Sequence, residues 1–193
     1  QKSIDAFMAI RDIENTRYQA DAARYVADAQ EYLIRAKAEE DASYVYALPL
    51  NDLVERVNRG RMSLSEAPTS ILLSQAVTGS TPEAVKAELE KRKGGSVVRE
   101  MPQDVQALID AREVFSEIET KSGKTDMDPT ALAPQYRYDN AMIYYNYGNF
   151  EEAEKRFSLI IEKSPASQHA LSAADIIVAE YELRGDLDKV AQL

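Results

Sequence analysis

The sequence contains no cysteine and no tryptophan, and it has a single histidine, His169. Without cysteine, these residues cannot supply disulfides, thiolate metal ligands or cysteine nucleophiles. With one histidine, a zinc site would depend almost entirely on carboxylates, which is unusual for zinc. A Ser-His-Asp triad would have to use His169, which we interpret as a solvated residue at a helix start. We therefore expect no bound metal.

Basic residues are also scarce, with 23 Lys and Arg against 33 Asp and Glu, a net charge of −10 and a pI near 4.7. This charge disfavours binding to nucleic acid, which requires neutralised phosphates, and to an anionic membrane surface. No apolar run reaches the about 18 residues that a spanning helix needs, so we expect no direct membrane insertion. A hydrophobic content of 45% still supplies a core.

The sequence contains no complete catalytic motif. The tetrapeptide at 122–125, Ser-Gly-Lys-Thr, is similar to the end of a P-loop, but Ile118 stands where the first glycine is required and a helix precedes it instead of a strand. Adjacent acids such as Glu151 and Glu152 are interpreted as solvated helix faces. The sequence therefore predicts no catalytic residue, no cofactor and no enzyme activity in this chain.

Residues 134–165 carry the clearest pattern in the chain. Apolar residues recur there at spacings of three, four and seven in two stretches, as in two amphipathic helices. Gly148 and Asn149 lie between the stretches and can adopt the left-handed backbone that reverses a chain. The segment is predicted to be an antiparallel helical hairpin closed by Pro165.

This pattern resembles a tetratricopeptide repeat, a helix-turn-helix unit of about 34 residues. Arg137 and Asn140 depart from the family, which has Trp and Leu there. The resemblance implies an all-α fold in which antiparallel hairpins stack into a right-handed superhelical solenoid. The matching positions are Ala141, Tyr144, Gly148, Asn149, Phe150, Ala153, Phe157, Ile160 and Pro165.

A second, partial copy follows, because residues 185–187 align with residues 148–150. The chain stops at Leu193 inside the second helix of this copy, so we expect the natural protein to continue. The alanine-rich stretch after Ser167 resembles repeats of bacterial cell-envelope proteins.

Four regions are predicted along the chain. Residues 1–47 are interpreted as a degenerate helical repeat, and residues 48–95 as an inserted or divergent helical subdomain, with an exposed flexible insertion as the alternative. Residues 96–133 form a long amphipathic helix plus a linker. Residues 134–193 hold the repeat and the truncated second repeat.

Within these regions, several helix boundaries are predicted from turn and cap residues. Residues 2 to about 40 are predicted to form two helices, with Asn15 or Thr16 as the cap of the second one. Asn51 is expected to cap a helix that ends at Gly60. An apolar helix is expected over residues 66–77, and residues 81–82, Thr-Pro, mark a further helix start.

The helix that follows Asn15 and Thr16 has a predicted buried stripe in which alanines recur every seven residues. A coiled-coil seam and close packing inside a repeat both fit this spacing, and we favour the second. The stripe consists of Tyr18, Ala22, Tyr25, Ala29, Tyr32, Leu33 and Ala36.

The family resemblance also implies a function, because its members bind proteins in a concave groove lined by the first helix of each repeat. It implies a non-enzymatic scaffold or adaptor in a multiprotein assembly, of a bacterial envelope or motility machinery, that is periplasmic or outer-membrane-associated, with the cytoplasm as the alternative. A docking arm of a larger enzyme or sensor and a homo-oligomerising repeat module stay open. Tyr145 fits packing as well as binding. The implied groove residues are Gln135, Tyr138, Met142, Tyr145, Asn146, Asp175, Ala179 and Glu182.

Overall fold

The computed structural model describes residues 4, 5, 9, 18–124, 128 and 130–191. Over these residues the chain is helical, with no strand, so the all-α expectation is confirmed there. The predicted caps Asn15 and Thr16 lie outside the described residues. The described α-helices are α1 (Gln19–Lys37), α2 (Leu50–Asn58), α3 (Thr69–Leu73), α4 (Pro82–Lys91), α5 (Gln103–Lys121), α6 (Ala133–Asn146), α7 (Phe150–Lys163), α8 (Gln168–Arg184) and α9 (Leu187–Val190), with a 3-10 helix at Ala42–Ala47.

The chain folds into two units, and each unit is built from two separated segments. The first unit contains Gln1–Val45 and Met101–Asn140, and the second contains Tyr46–Glu100 and Ala141–Leu193. The chain passes from one unit to the other at three positions. The first two, after residues 45 and 100, lie close to the region boundaries predicted at 47 and 95. The third falls inside α6, which begins in the first unit and ends in the second.

In the first unit, α1 and α5 pack side by side in opposite directions. Lys37 at the end of α1 bonds Asp104 at the start of α5, whereas Glu31, further back in α1, accepts a 2.8 Å bond from Arg112, further along α5. The helices bury Val26 and Ile34 of α1, together with Val105, Leu108 and Ile109 of α5.

The buried face of α1 differs from the predicted stripe. Tyr18, Tyr25 and Tyr32 are 53%, 45% and 73% exposed, so the prediction that they lie in the core is wrong. Apolar or aromatic residues recur every three or four positions on both faces of this helix. The face with Val26 and Ile34 is the more apolar of the two. Tyrosine tolerates water because its ring ends in a hydroxyl.

The start of α6 is fixed by a carboxylate from α5. Glu119 is buried, and its Oε2 accepts hydrogen bonds from the backbone N–H groups of Leu132 (2.8 Å) and Ala133 (2.7 Å). It therefore satisfies donors that a helix N-terminus leaves without intrahelical partners. Further along, Tyr136 packs edge-on against Phe115 of α5, with ring centroids 5.2 Å apart.

The short helices of the second unit correct two predicted boundaries. Asn51 does not cap α2, because the helix begins at Leu50 and Pro49 occupies the cap position. The helix expected over residues 66–77 spans only Thr69–Leu73, since Pro68 is extended and Gln75 adopts a left-handed backbone with φ 56°. The predicted start of α4 is confirmed, because the Thr81 hydroxyl accepts a 3.2 Å bond from Ala84 N–H.

A buried arginine organises the loop between α2 and α3. Arg92, just after α4, donates to the carbonyl oxygens of Ala67 (2.6 Å) and Leu64 (3.0 Å), and Glu88 lies 3.3 Å from its guanidinium. These bonds give the loop carbonyls internal partners. The segment is therefore packed into the second unit.

Candidate protein-binding surface

The candidate surface is built on α7, α8 and the part of α6 that belongs to the second unit. The turn between α6 and α7 depends on Gly148, which has φ 83°. A Cβ at this position would lie 2.3 Å from the carbonyl oxygen of Val97. Arg99, two residues after Val97, donates its backbone N–H to the carbonyl oxygen of Tyr147 at 2.8 Å. Only glycine fits both the backbone angle and the approach of residues 97–99.

Aromatic side chains join the three helices. Tyr145 at the end of α6 contacts Phe150 and Phe157 of α7, with ring centroids 6.0 Å and 6.5 Å apart. Phe150 in turn meets Tyr181 of α8 edge-on at 5.6 Å. Because the start of α7 meets the end of α8, these two helices run antiparallel.

Tyr145, one of the predicted groove residues, lies inside this helix packing. Its hydroxyl donates a 2.7 Å hydrogen bond to Glu180, which is itself buried and accepts a 2.8 Å bond from Arg184. Burial raises the pKa of Tyr145 well above its usual value, and the negative charge of Glu180 acts in the same direction. The side chain joins α6 to α8 and does not present a surface to a partner.

Asn146, another predicted groove residue, is also buried. Its Oδ1 accepts a 2.6 Å bond from the hydroxyl of Ser70 in α3. Sequence reasoning missed this pair because the two residues are 76 positions apart. Asn146 therefore fixes the end of α6 within the second unit.

The other predicted residues keep access to solvent. Asp175 and Glu182 are exposed, and Ala179 and Met142 are half-buried. In the first unit, Gln135 is exposed and Tyr138 is half-buried. Whether any of these residues contacts a protein stays a prediction.

Three of the accessible residues follow one face of α8. Asp175, Ala179 and Glu182 are separated by four and three positions, which places them in one row on a helix. We call this row the α8 stripe. Its two carboxylates are about 10 Å apart along the helix axis, from a rise of 1.5 Å per residue. The row is suited to basic groups of similar spacing.

A cavity of about 420 Å³ lies elsewhere in the second unit, between α3 and α4. Its walls include Leu72, Val77, Val85 and Leu89, together with Lys86. The sequence does not reveal it, because it depends on the left-handed turn at Gln75 that ends α3 early.

Two kinds of feature, a metal cluster and a membrane-spanning helix, are absent from the described parts of the chain. Those residues contain no cluster of three or more histidine or acidic side chains with metal-ligand geometry. Their helices are all too short or too polar to cross a bilayer.

No family model, curated protein or solved structure matches this chain. The resemblance to a tetratricopeptide repeat therefore stays a prediction that rests on the residues themselves.

Proposed function

We propose that this protein is a non-enzymatic scaffold that binds another protein through the α8 stripe, together with Met142 of α6, which is half-buried. The observation that carries the proposal is the contrast between the two sides of α8. Glu180 is buried and bonded to Tyr145, whereas Asp175 and Glu182 of the same helix are exposed. One side of the helix is fixed in the fold, and the other presents two carboxylates to solvent.

Rigidity supports binding at this surface. The bonds from Tyr145 to Glu180 and from Ser70 to Asn146 are buried and hold α6 and α8 by their side chains. A surface that is already ordered loses little conformational entropy when a partner binds, so more of the contact energy appears as affinity. The carboxylates favour a partner with lysine or arginine, and the thioether of Met142 offers an adaptable apolar contact.

The setting that we propose is a multiprotein assembly of a bacterial envelope or motility machinery. Its support is the resemblance of the hairpin and of the alanine-rich start of α8 to repeats of envelope proteins. Cell fractionation of the source organism tests this part separately. Recovery in the periplasmic or outer-membrane fraction is expected, and recovery in the cytoplasm alone would contradict it.

Affinity capture from the source cell tests the binding surface. The wild type is compared with Asp175→Lys/Glu182→Lys, and with the control Glu83→Lys/Glu90→Lys, which reverses two exposed carboxylates at the same spacing on α4. We expect a defined set of proteins on the wild type and on the control, reduced about tenfold on the α8 variant. Equal recovery on all three proteins would contradict the proposal, as would no specific recovery. Circular dichroism checks that each variant is folded.

A further inference from the structure

A second surface lies in the first unit, on the side of α1 that faces away from Val26 and Ile34. Tyr25, Ala29, Tyr32 and Ala36 follow one another at spacings of four, three and four residues, which is the spacing of a coiled-coil seam. We call these four residues the α1 outer face. Tyr25 and Tyr32 are 45% and 73% exposed, Ala36 is exposed and Ala29 is half-buried.

We propose that two copies of this chain pair through the α1 outer face, with the two α1 helices antiparallel. The reason lies in the alternation of large and small residues. When the register places Tyr25 opposite Ala36 of the second copy, it also places Tyr32 opposite Ala29 of that copy. Each ring then lies over a methyl group, and the two-fold axis repeats both contacts. A parallel arrangement would place tyrosine against tyrosine and alanine against alanine.

Charges beside the seam favour the same arrangement. Asp28 and Arg35 are exposed and seven residues apart on one flank of the α1 outer face. In the antiparallel register, Asp28 of each copy lies near Arg35 of the other, so the pair occurs twice. Within the chain, Asp28 accepts a 3.2 Å bond from Tyr136, and Arg35 pairs with Glu31 at 3.1 Å. Each of these side chains therefore already has one partner within its own chain.

The composition of the face fits a protein interface. Tyrosine is enriched at interface centres because it buries a large ring with few rotatable bonds and keeps a hydroxyl for hydrogen bonding. Alanine at every seventh position allows two helices to approach closely. Because α1 is already folded against α5, pairing carries no free-energy cost of helix formation. In the antiparallel register the α1 outer face is complementary to an identical face. The protein bound at this face is therefore a second copy of the chain.

The first arm of the test measures association of the whole protein by sedimentation velocity over a concentration series. We expect a concentration-dependent dimer. Asp28→Arg and Arg35→Asp each place like charges together twice and are expected to weaken the dimer about tenfold. The double variant Asp28→Arg/Arg35→Asp restores opposite charges and is expected to restore the dimer.

The control for charge reversal is the variant Glu83→Lys/Glu90→Lys on α4, which is expected to dimerise like the wild type. A monomer at every concentration would overturn the proposal. So would a double variant that dimerises no better than the single variants.

The second arm uses the absence of cysteine, which makes engineered thiols unambiguous. Chains with Tyr25→Cys and chains with Ala36→Cys are treated with a short thiol cross-linker, alone and as an equimolar mixture. Antiparallel pairing predicts cross-linked dimers in the mixture only, because like positions lie about 16 Å apart along the axis. Dimers from each variant alone, with none specific to the mixture, would overturn the register. Cross-linking to a different protein in cell extract, without self-dimers, would identify another occupant and also overturn it.

Discussion

Gly148 and Gly185 both have a positive φ, 83° and 74°, but very different surroundings. A Cβ on Gly148 would meet the Val97 carbonyl, whereas nothing lies within 4 Å of one on Gly185. We predict that Gly185→Ala lowers the free energy of unfolding by about 1 kcal/mol, from left-handed strain alone. Gly148→Ala should cost a further 1–3 kcal/mol or so, because the backbone at residues 97–98 must move.

Urea unfolding of the two alanine variants checks this prediction. Gly185→Ala is the matched control, since it carries the same backbone strain without the close contact. Equal losses in the two variants would show that residues 97–99 do not lie against the turn between α6 and α7.

Tyr145 gives a prediction for alkaline pH. Its pKa is raised in the folded protein, so its contribution to stability is complete below the ordinary tyrosine pKa of about 10. Above that pH the unfolded chain ionises while the folded protein keeps the proton, and stability falls by up to about 1.4 kcal/mol per pH unit from this residue. Tyr181 behaves similarly, because burial and its bond to Glu154 raise its pKa to about 12.

The variant Tyr145→Phe isolates this effect from the titration of lysines and other tyrosines. We expect its unfolding free energy to fall less steeply than that of the wild type between pH 10 and 12, while near neutral pH it is less stable by about 1 kcal/mol from the lost bond to Glu180. Parallel curves for the two proteins would mean that Tyr145 reaches solvent.

At the scale of single residues, the sequence predicted the local backbone conformation better than the contacts between residues that are distant in the chain. The left-handed turn at Gly148 was predictable, because glycine followed by a polar residue between two amphipathic stretches is typical of such a turn. Its contact with Val97 was not, since nothing local links two residues so far apart. Tyr145 and Asn146 have the residue types of a groove, and only the bonds to Glu180 and Ser70 show that they are buried.

At the scale of elements, the start of α6 depends on a side chain from α5. Glu119→Ala removes the acceptor for two backbone N–H groups, and we predict a loss of about 2–3 kcal/mol in unfolding free energy. Glu119→Gln keeps an oxygen that can accept these bonds but loses the negative charge near Lys124 and the helix N-terminus. It should cost about 1 kcal/mol.

Thermal unfolding of the two Glu119 variants measures the difference. If alanine and glutamine cost the same, the charge alone matters and the acceptor role of Glu119 is wrong.

Element prediction succeeded where local signals agree and failed where tertiary packing decides. The start of α4 has a capping threonine followed by proline, and α7, the second helix of the hairpin, has strong apolar periodicity, so both were predictable. The end of α3 was missed because a left-handed Gln75 has no sequence signature. The buried face of α1 was assigned wrongly because its two faces have nearly the same periodicity, and only packing against α5 distinguishes them.

At the scale of the whole molecule, the division into two discontinuous units could not be read from the sequence. Composition and breakers mark residues 48–95 as different from their surroundings, but they do not reveal which segment these residues pack against. In the structure, Tyr46–Glu100 belongs to the same unit as Ala141–Leu193. Ser70, Val97 and Arg99 contact the end of α6 and its following turn, so the platform for the α8 stripe is assembled from distant parts of the chain.

The measurement that tests the scaffold proposal most directly is site-specific photo-cross-linking in the source cell. A photoreactive amino acid is placed at Glu182 of the α8 stripe and, as a control, at Glu83 of α4, which is also exposed. We predict that the Glu182 position forms adducts with a small, reproducible set of other proteins and that the Glu83 position does not. No adducts at position 182, or the same adducts from both positions, would contradict the assignment of the α8 stripe as a protein-binding surface.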